Sequence, residues 1–274
     1  MKHISQAVLG FLVVVFPLFG QSAQTLILPQ VVDGGGWQSV IVLTNMTANP
    51  ASATLSFNMD TTGGGTQPWT PPFLEVSSTA GLVLAPGSSM FLHTPGTSAV
   101  LSQGWAQLNA DAGIVGYVIF SLLGLPEQDA TAPAVAASNH ILVPYDDSNG
   151  FATQIALVNP TSSPVDIAVG FRTTTGGVAM SNLPTIPPFG HMAFALATQF
   201  PVIAGHLGLA EFYSATGNVS LIALRSNPTK SFTAAPAFFQ SGPPLIAVPT
   251  DPGMPYDPGS PYGYVSSTPA SSAP

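Results

Sequence analysis

The sequence predicts an all-β protein made of two tandem immunoglobulin-like antiparallel β-sandwich domains that arose by an internal duplication. Three observations predict it: one stretch of the chain repeats without a gap, apolar and polar residues alternate with a period of two, and no segment keeps a helical period. Each unit shows about six or seven short strand patterns separated by turn residues, and two packed sheets bury such strands best. The Cys–Trp–Cys signature of antibody domains is missing, so only the sandwich architecture is predicted.

The repeat defines the units. Asp33–Gly63 aligns on Asp147–Gly177 at a constant offset of 114 (171 − 57), and ten of the 31 aligned pairs are identical. Unrelated segments would share roughly two identities at ordinary residue frequencies. Further along the chain the offset falls to 102 (188 − 86), because the first copy contains an additional Pro-rich stretch, Thr66–Phe73. Insertions are usually found in surface loops, so we expect this stretch to be an exposed loop.

The alignment divides the chain into five parts. These are a signal peptide (1–23), a first β-sandwich repeat (24–124), a linker (125–139), a second β-sandwich repeat (140–240) and a disordered tail (241–274). The linker is rich in Ala and Pro and lacks alternation, which favours a semi-extended chain. The tail is rich in Pro, Gly and Ser, which prevent regular strand pairing.

The N-terminus is typical of a secretory signal. Lys2 and His3 precede an apolar stretch, Ala7–Phe19, and small residues then allow cleavage after Ser22 or Ala23. A bilayer span needs about 20 apolar residues, and neither this stretch nor any later one is that long. We therefore expect a secreted, extracellular or cell-surface protein, with the periplasm and a retained membrane anchor as alternatives. The chain has no Cys, so its domains depend on packing rather than on disulfides.

The charge of the chain limits its partners. Only 6% of the residues are charged, against about 25% in an average soluble domain. Once Lys2 leaves with the signal peptide, three basic side chains remain beside 12 acidic ones, a net charge of 3 − 12 = −9. Such a chain cannot neutralise a phosphate backbone, so we expect no nucleic-acid partner and disfavour an anionic membrane surface. An uncharged polar surface suits an extracellular protein and carbohydrate contacts.

Alternation assigns one face of the first two strands of each repeat to the core. The core-facing residues of the first strand are Trp37, Ser39, Ile41 and Leu43, which align on Phe151, Thr153, Ile155 and Leu157. Those of the second strand are Ala51, Ala53, Leu55 and Phe57, which align on Val165, Ile167, Val169 and Phe171. The two copies therefore predict the same buried surface.

Three polar motifs each allow a functional and a structural interpretation. Asp33–Gly36 resembles a phosphate loop, but no Lys and no helix follow it. Asp146–Gly150 offers closely spaced oxygens for calcium, but it lacks the distal Glu of a twelve-residue calcium loop. We interpret both as tight turns that use Gly and Asn. In Asn45-x-Thr47 and its copy Asn159-x-Thr161 we expect side chains that bond the following loop, with a carbohydrate or peptide contact as the alternative.

The acidic residues and histidines suggest no catalytic or metal constellation. The histidines stand apart, without metal-ligand spacing: His93, His140, His191 and His206. An acid–base pair among Glu75, Glu127 and Glu211 is conceivable, but neither copy suggests one. We therefore expect no enzyme activity, no cofactor, and no catalytic, cofactor-binding or metal-binding residues.

The three tryptophans are the candidates for a sugar-stacking platform. The alignment places Trp37 in the core, and Trp69 lies in the inserted loop, where it would be exposed. We therefore expect the ligand contacts of the first repeat at Trp69, with Gln67 and Phe73 beside it. An exposed Trp offers a large contact area.

Leu28–Trp37 (LPQVVDGGGW), Val42–Asn45 (VLTN) and Gly104–Ala106 (GWA) together resemble a repeat of secreted bacterial proteins, acidobacterial ones among them. The resemblance covers residues 25–125 and 140–240. It implies β-rich units of roughly one hundred residues, in proteins that are mostly uncharacterised. It implies no activity, ligand or catalytic residue.

The sequence favours a secreted or cell-surface, non-enzymatic protein that acts by binding or as part of an extracellular structure. Its partner would be an extracellular ligand such as a carbohydrate or an envelope component. The alternative is a pair of carbohydrate-binding modules that serve an exported polysaccharide-degrading system, and a hydrolase is a third hypothesis.

Overall fold

The computed structural model describes residues 22–124, 127–240 and 242–246. Within these ranges the protein is an all-β, antiparallel β-sandwich protein with 18 strands and two short helical segments. No helix among these residues is long and apolar enough to cross a membrane. The predicted signal peptide, except its last two residues, and most of the predicted tail lie outside the described residues.

Nine strands form the first unit. They are β1 (Ala23–Asp33), β2 (Trp37–Asn45), β3 (Ala51–Asp60), β4 (Thr66–Trp69), β5 (Leu82–Leu84), β6 (Ser89–His93), β7 (Ser102–Asp111), β8 (Ile114–Leu122) and β9 (Gln128–Pro133). One sheet has the order β1-β7-β3-β4, with β5 also paired to β3, and the other has the order β6-β2-β8-β9.

The second unit repeats this plan. Its elements are β10 (His140–Asp146), β11 (Ala152–Val158), β12 (Ala168–Thr173), β13 (Val178–Asn182), β14 (His191–Ala195), α1 (Leu196–Gln199), a 3₁₀ turn (Pro201–Ile203), β15 (Leu207–Tyr213), β16 (Ser220–Ser226), β17 (Phe232–Ala235) and β18 (Phe238–Phe239). The sheets have the orders β13-β12-β15-β10-β18 and β14-β11-β16-β17. Apart from β5 and β18, strands with equivalent places in the sequence have equivalent places in the sheets. This agreement supports the duplication, which stays our proposal.

The predicted core faces are buried. In the first unit Ile41 and Leu43 are inaccessible to solvent, and Ala51, Ala53, Leu55 and Phe57 belong to the same apolar cluster. In the second unit the equivalent residues pack in one cluster: Ile155, Leu157, Val165, Ile167, Val169 and Phe171. The two-residue alternation therefore identified the interior of both sandwiches.

Trp37 differs from the prediction. It is the first residue of β2, and its side chain is half-buried at the margin of the core. Phe151, its counterpart, immediately precedes β11 and is also half-buried, beneath the guanidinium of Arg225 at 3.7 Å. Alternation predicts the face of the strand on which a residue lies. It does not show that Trp37 and Phe151 stand at the edge of the core, where the strands begin.

The predicted linker contains a strand. Residues Gln128–Pro133 form β9, which pairs with β8, and its residues Ala130 and Ala132 are buried. Ala130 and Ala132 alternate with Asp129, Thr131 and Pro133, so buried and exposed residues do follow a period of two. The pattern is weak in the sequence because the alanine side chains are small. The first unit therefore extends to Pro133. Leu125 and Pro126 lie outside the described residues.

The inserted stretch Thr66–Phe73 also differs from the prediction. Its first half is β4, an edge strand paired with the end of β3, and only the rest is irregular. Pro68 is tolerated because β4 lies at the edge of its sheet.

The start of the predicted tail is ordered against the second unit. Ile246 is buried, with 2% of its surface exposed, and Leu245 and Ile246 donate their backbone N–H groups to the carboxylate of Glu211. The disorder expected for residues 242–246 is therefore wrong, because a buried acceptor satisfies the backbone there. The rest of the tail lies outside the described residues.

The two units pack against each other, with β1 and β9 of the first unit beside β11, β16 and β17 of the second. Ile27 and Trp105 of the first unit form a buried cluster with Val158 of the second. Ala156 and Ile222, on the outer side of β11 and β16, join the apolar cluster of the first unit. This packing creates a cleft between the units.

Candidate binding cleft

A cleft of about 350 Å³ lies between the two units. Its walls are Gln30, Val32, Trp37, Leu101, Gln103 and Phe120 of the first unit, and Gln154, Ile155, Ala156, Ala193, Phe194, Ala195, Ile222 and Leu224 of the second. Three aromatic and three glutamine side chains stand among aliphatic ones, and none of these residues carries a charge. Ligand pockets have volumes of about 300–1000 Å³ and are often found at domain interfaces, so size and position fit a small binding site.

Trp37 is placed in the cleft by the glycine turn that precedes it. Gly34 and Trp37 exchange backbone hydrogen bonds of 2.9 and 3.0 Å, which closes a tight hairpin between β1 and β2. A Cβ on Gly34 would lie 2.4 Å from the carbonyl oxygen of Val100, so glycine is needed for the 98–101 loop to approach. The turn interpretation of Asp33–Gly36 is thereby confirmed, and the same approach brings Leu101 to the wall of the cleft.

The aromatic surface continues across the two units. The Trp37 ring lies 5.4 Å from the ring of Phe232, measured between centroids and tilted by 43°. Phe194 contributes a second, half-buried ring from β14. Such rings offer broad apolar surfaces on which a ligand ring can stack.

The glutamines supply hydrogen-bonding groups beside these rings. Gln103 donates its amide to Asp60 at 2.9 Å, which leaves its carbonyl oxygen to accept. Within the described part of the chain, the carbonyl oxygen of Gln30 is buried and has no hydrogen-bond partner. Gln154 is exposed on β11. The cleft therefore presents amide donors and acceptors that are not fully used within the protein.

Two hydrogen bonds join the units at the end of the cleft. Asp60, which accepts from Gln103, also accepts from Nδ1 of His191 at 2.9 Å, and the His191 side chain is fully buried. Trp105, on the same face of β7 as Gln103, donates its indole N–H to the carbonyl oxygen of Phe189 at 3.0 Å. Both bonds join one unit to the other, so they fix the relative position of the cleft walls.

The residues predicted to contact a ligand lie outside this cleft. Trp69 is half-buried and packs edge-on against Phe57, with 6.2 Å between the ring centroids. Phe73 packs against the same ring at 5.5 Å, and Gln67 is exposed on β4. Both aromatic rings therefore contribute to the margin of the first core. Their contact with a ligand stays a prediction.

Three of the four histidines that the sequence sets apart are paired with carboxylates by the fold. These pairs are His93–Glu75 at 2.6 Å, His140–Glu211 at 2.5 Å and His191–Asp60 at 2.9 Å. Burial alone would raise the pKa of Glu75, but its hydrogen bonds from the backbone and ring of His93 outweigh this and lower the pKa. Within the ranges given above, no group of three or more acidic or histidine side chains is placed to hold a metal ion.

The Asp146–Gly150 segment is a hydrogen-bonded turn, as predicted. Phe151 donates its backbone N–H to the carbonyl of Ser148 at 2.9 Å, and Asn149 has a φ of 51°. Asp146 accepts from Arg225 at 2.6 Å; burial opposes ionisation, but this pairing and the bonds from Ser148 lower its pKa.

Asp147, the next residue of this turn, is buried, and this raises its pKa, with a further contribution from the charge of Asp146. Burial and the Asp147 carboxylate also raise the pKa of Tyr145 to about 12. These shifts follow from the burial and hydrogen bonds of the turn.

The Asn-x-Thr motifs form identical loop-bonding networks. The Asn45 amide donates to the carbonyls of Asn49, Leu84 and Ala85 at 2.7, 3.1 and 3.1 Å. The Asn159 amide donates to those of Ser163, Ile186 and Pro187 at 2.7, 3.2 and 3.0 Å. In both loops the Thr hydroxyl donates back to the Asn carbonyl oxygen. The structural interpretation of these motifs is confirmed.

Sequence reasoning missed most of the cleft. The alternation assigns Trp37 to the core, and no pattern in the sequence marks Gln30, Gln103 or Gln154 as binding residues. Gln103 and Gln154 alternate with more buried neighbours in β7 and β11, whereas Gln30 lies where the register of β1 shifts. The sequence does not show that the packing of the units brings these glutamines to one cleft.

No protein-family model matches this sequence, and no curated protein matches it either.

Proposed function

We propose that this chain is a secreted or cell-surface, non-enzymatic binding protein, and that the cleft between its two units is the binding site. The observation that carries the proposal is the lining of the cleft, in which aromatic rings and glutamine amides stand together without a charged group. Such a lining favours a ligand with apolar faces and many neutral hydrogen-bonding groups.

A neutral carbohydrate has this chemistry. The faces of a sugar ring are apolar enough to stack on Trp37 or Phe194, and its hydroxyls donate and accept as the amides of Gln103 and Gln154 require. A phosphate or carboxylate ligand would find no cation in the wall. The cleft needs both units, so we propose one site per chain, which differs from a pair of independent carbohydrate-binding modules.

Export is the second part of the proposal. β1 begins at Ala23, and Gln24 already donates its side-chain amide to the carbonyl of Ile114. Cleavage after Ser22 or Ala23 would therefore leave β1 from Gln24 onward, with its pairing to β7, in the mature protein. N-terminal sequencing of the secreted protein should begin at Ala23 or Gln24, and an uncleaved, cell-associated chain would contradict export by this signal.

Isothermal titration with neutral oligosaccharides tests the site. The probes are cellohexaose, laminarihexaose and maltohexaose, with hexagalacturonate as the charged comparison. We expect one ligand per chain for at least one neutral probe, and a loss on the order of tenfold or more in affinity for Trp37→Ala. Gln154→Ala should weaken the same probe without unfolding the protein, because its side chain is exposed.

Matched variants at the other candidate site complete the experiment. Trp69→Ala and Gln67→Ala change the same residue types outside the cleft, and we expect them to bind like the unchanged protein. If they lose affinity while Trp37→Ala and Gln154→Ala retain it, the binding site lies at β4. If no probe binds but envelope material is still captured by the full chain, the carbohydrate assignment is wrong and the binding function stands.

A further inference from the structure

A second cavity, of about 400 Å³, lies between the two units. Its walls come from the end of β9 and Val135 in the first unit, and from β16, the end of β17 and the chain after β17 in the second. Every residue of its lining is Ala, Pro, Val, Leu, Ile or Phe. The binding cleft differs, because glutamines stand beside its aromatic rings. We call this second cavity the apolar cavity.

The pairing of β16 has a gap at the wall of this cavity. Val219, just before β16, exchanges two backbone hydrogen bonds of 2.8 Å with Ser138. Further along, Ala223 is paired with Ala235 of β17. Residues two apart in an antiparallel strand direct their backbone groups to the same side. The N–H and C=O groups of Leu221, midway between these pairs, therefore point to the same edge of β16.

The first unit closes the equivalent position. Gly116 stands opposite Leu43 of β2, as Leu221 stands opposite Leu157 of β11. Leu43 and Leu157 align in the repeat at the offset of 114 (157 − 43). The carbonyl oxygen of Gly116 accepts the backbone N–H of Ala134 at 2.8 Å. The chain that leaves β9 therefore continues the pairing of its sheet to this position.

The second unit leaves the gap open. Its chain has the same dipeptide at the end of the last paired strand, Pro236-Ala237 for Pro133-Ala134. Among the backbone hydrogen bonds of the described residues, however, none joins Ala237 or another residue to Leu221 at this edge. Leu221 is 1% exposed, so its N–H and C=O groups are also shielded from bulk water. They line the apolar cavity instead.

The chemistry of this wall favours one kind of ligand. A buried backbone N–H or C=O group needs a hydrogen-bond partner. Water fits poorly, because a buried water makes about three hydrogen bonds and apolar cavities stay dry. Leu221 offers one donor and one acceptor, and the side chains around it are apolar. A hydroxyl group can serve both, since it donates and accepts, and an aliphatic chain attached to it would fill the rest of the cavity.

The cavity can be reached from the surface, and its charge selects the ligand further. Pro133 and Pro236 of the lining are exposed, and Phe239 is 37% exposed. The lining is uncharged, and the whole chain has a net charge of −8. A carboxylate in this cavity would lose its water without gaining a cation, so a neutral ligand is favoured.

We propose that the apolar cavity binds one neutral aliphatic chain that ends in a hydroxyl group. The hydroxyl pairs with the backbone N–H and C=O groups of Leu221, and the chain lies against the apolar walls. Two separate observations carry this assignment: the composition of the lining and the gap in the pairing of β16. The inference does not depend on the carbohydrate site.

Isothermal titration of the full chain with 1-hexanol, 1-octanol and 1-decanol tests the aliphatic part. We expect one alcohol per chain and an affinity that rises about fourfold with each added methylene, as for the transfer of a methylene out of water. Decanoate has the same length but a charge, and should bind more weakly on the order of tenfold or more. The proposal is wrong if none of the three alcohols gives a saturable signal, or if decanoate binds as tightly as 1-decanol.

The ¹H–¹⁵N spectrum tests the hydroxyl end. On titration with 1-decanol, the backbone N–H signal of Leu221 should shift in proportion to saturation. The signal of Leu55, in the core of the first unit, should stay in place. An alcohol that binds without moving the Leu221 signal would overturn the assignment.

A matched pair of variants locates the site. Ala234→Leu enlarges a residue of the lining, and Thr233→Leu introduces the same side chain at the exposed neighbour outside it. Ala234→Leu should weaken 1-decanol on the order of tenfold or more, because its added carbons take the space of three methylenes. Thr233→Leu should bind like the unchanged protein. Circular dichroism shows whether each variant is folded, and Ala237→Leu replaces Ala234→Leu if that variant unfolds. Equal affinities for the folded lining variant and Thr233→Leu would contradict the proposal.

Discussion

The indole N–H of Trp105 donates to the carbonyl oxygen of Phe189 at 3.0 Å, and this bond runs from the first sandwich to the second. Trp105 is 1% exposed, so the interface buries one of the largest side chains of the molecule. The relationship matters for the cleft because the walls of the cleft belong to different units. A chain whose units separated would lose the cleft while keeping both sandwiches.

Trp105→Ala should therefore uncouple the units as well as destabilise them. Replacing a large buried aromatic side chain by Ala costs about 3–5 kcal/mol. We expect urea unfolding, followed by fluorescence and circular dichroism, to change from one transition to two. A single transition with a midpoint within error of the unchanged protein would show that Trp105 does not hold the interface.

Asn45→Ala and Asn159→Ala should reduce the free energy of unfolding by similar amounts. Each change leaves three carbonyls without their amide donor, and a buried group without its partner costs about 1–3 kcal/mol. Asn49→Ala is the control, because the Asn49 side chain is exposed. Strongly unequal losses of unfolding free energy would show that the two loops contribute differently to stability, although their geometry is the same.

Asp147→Asn should stabilise the protein more at neutral than at acidic pH. Burial raises the pKa of Asp147, so the folded state holds a proton that the unfolded state has already released. Stability from this group is thus present below its unfolded pKa and is lost as pH rises through the higher folded pKa.

An asparagine at this position still offers a carbonyl oxygen that accepts the backbone N–H of Thr153, and it carries no charge. The difference in unfolding free energy between the variant and the parent should therefore grow as the pH rises from about 3.5 to 7. A difference that stays constant, or that shrinks over this range, would show that the Asp147 pKa is not raised.

Deletion of Gln67–Pro72 should destabilise the first unit. A flexible surface loop could be shortened with little change in stability, but this segment includes most of β4 and the ring of Trp69 that packs on Phe57. We expect a loss of about 1–3 kcal/mol in urea unfolding, since a partly buried aromatic side chain and its strand pairing are removed. A loss of unfolding free energy below about 0.5 kcal/mol would show that residues 67–72 behave as a flexible surface loop.

Much of the fold could be predicted from the sequence because the sandwich is set by local patterns. Alternation placed Ile41 and Leu55 in the core, and the repeat indicated that their partners Ile155 and Val169 would be buried too. β9 was missed because its buried residues are alanines, whose pattern is hard to distinguish from that of a linker. The ordered residues 242–246 were missed because their order depends on Glu211, which lies more than thirty residues earlier in the chain.

The candidate site was harder to predict than the fold. Trp37 and Gln154 are 117 residues apart (154 − 37) and lie on different sandwiches, and only the packing of the units brings them to one cleft. Periodicity describes one strand at a time. It therefore cannot show that an outer face is covered by another unit.

Nuclear magnetic resonance of the three tryptophan indoles tests the central claim most directly. The chain has 3 Trp residues, so the ¹H–¹⁵N spectrum contains three indole signals, which Trp37→Phe, Trp69→Phe and Trp105→Phe variants assign. On titration with the neutral hexasaccharide that binds, we expect the Trp37 signal to shift in proportion to saturation, together with the side-chain amide of Gln154. The Trp69 signal should stay in place. A shift of Trp69 without a shift of Trp37 would contradict the cleft as the binding site.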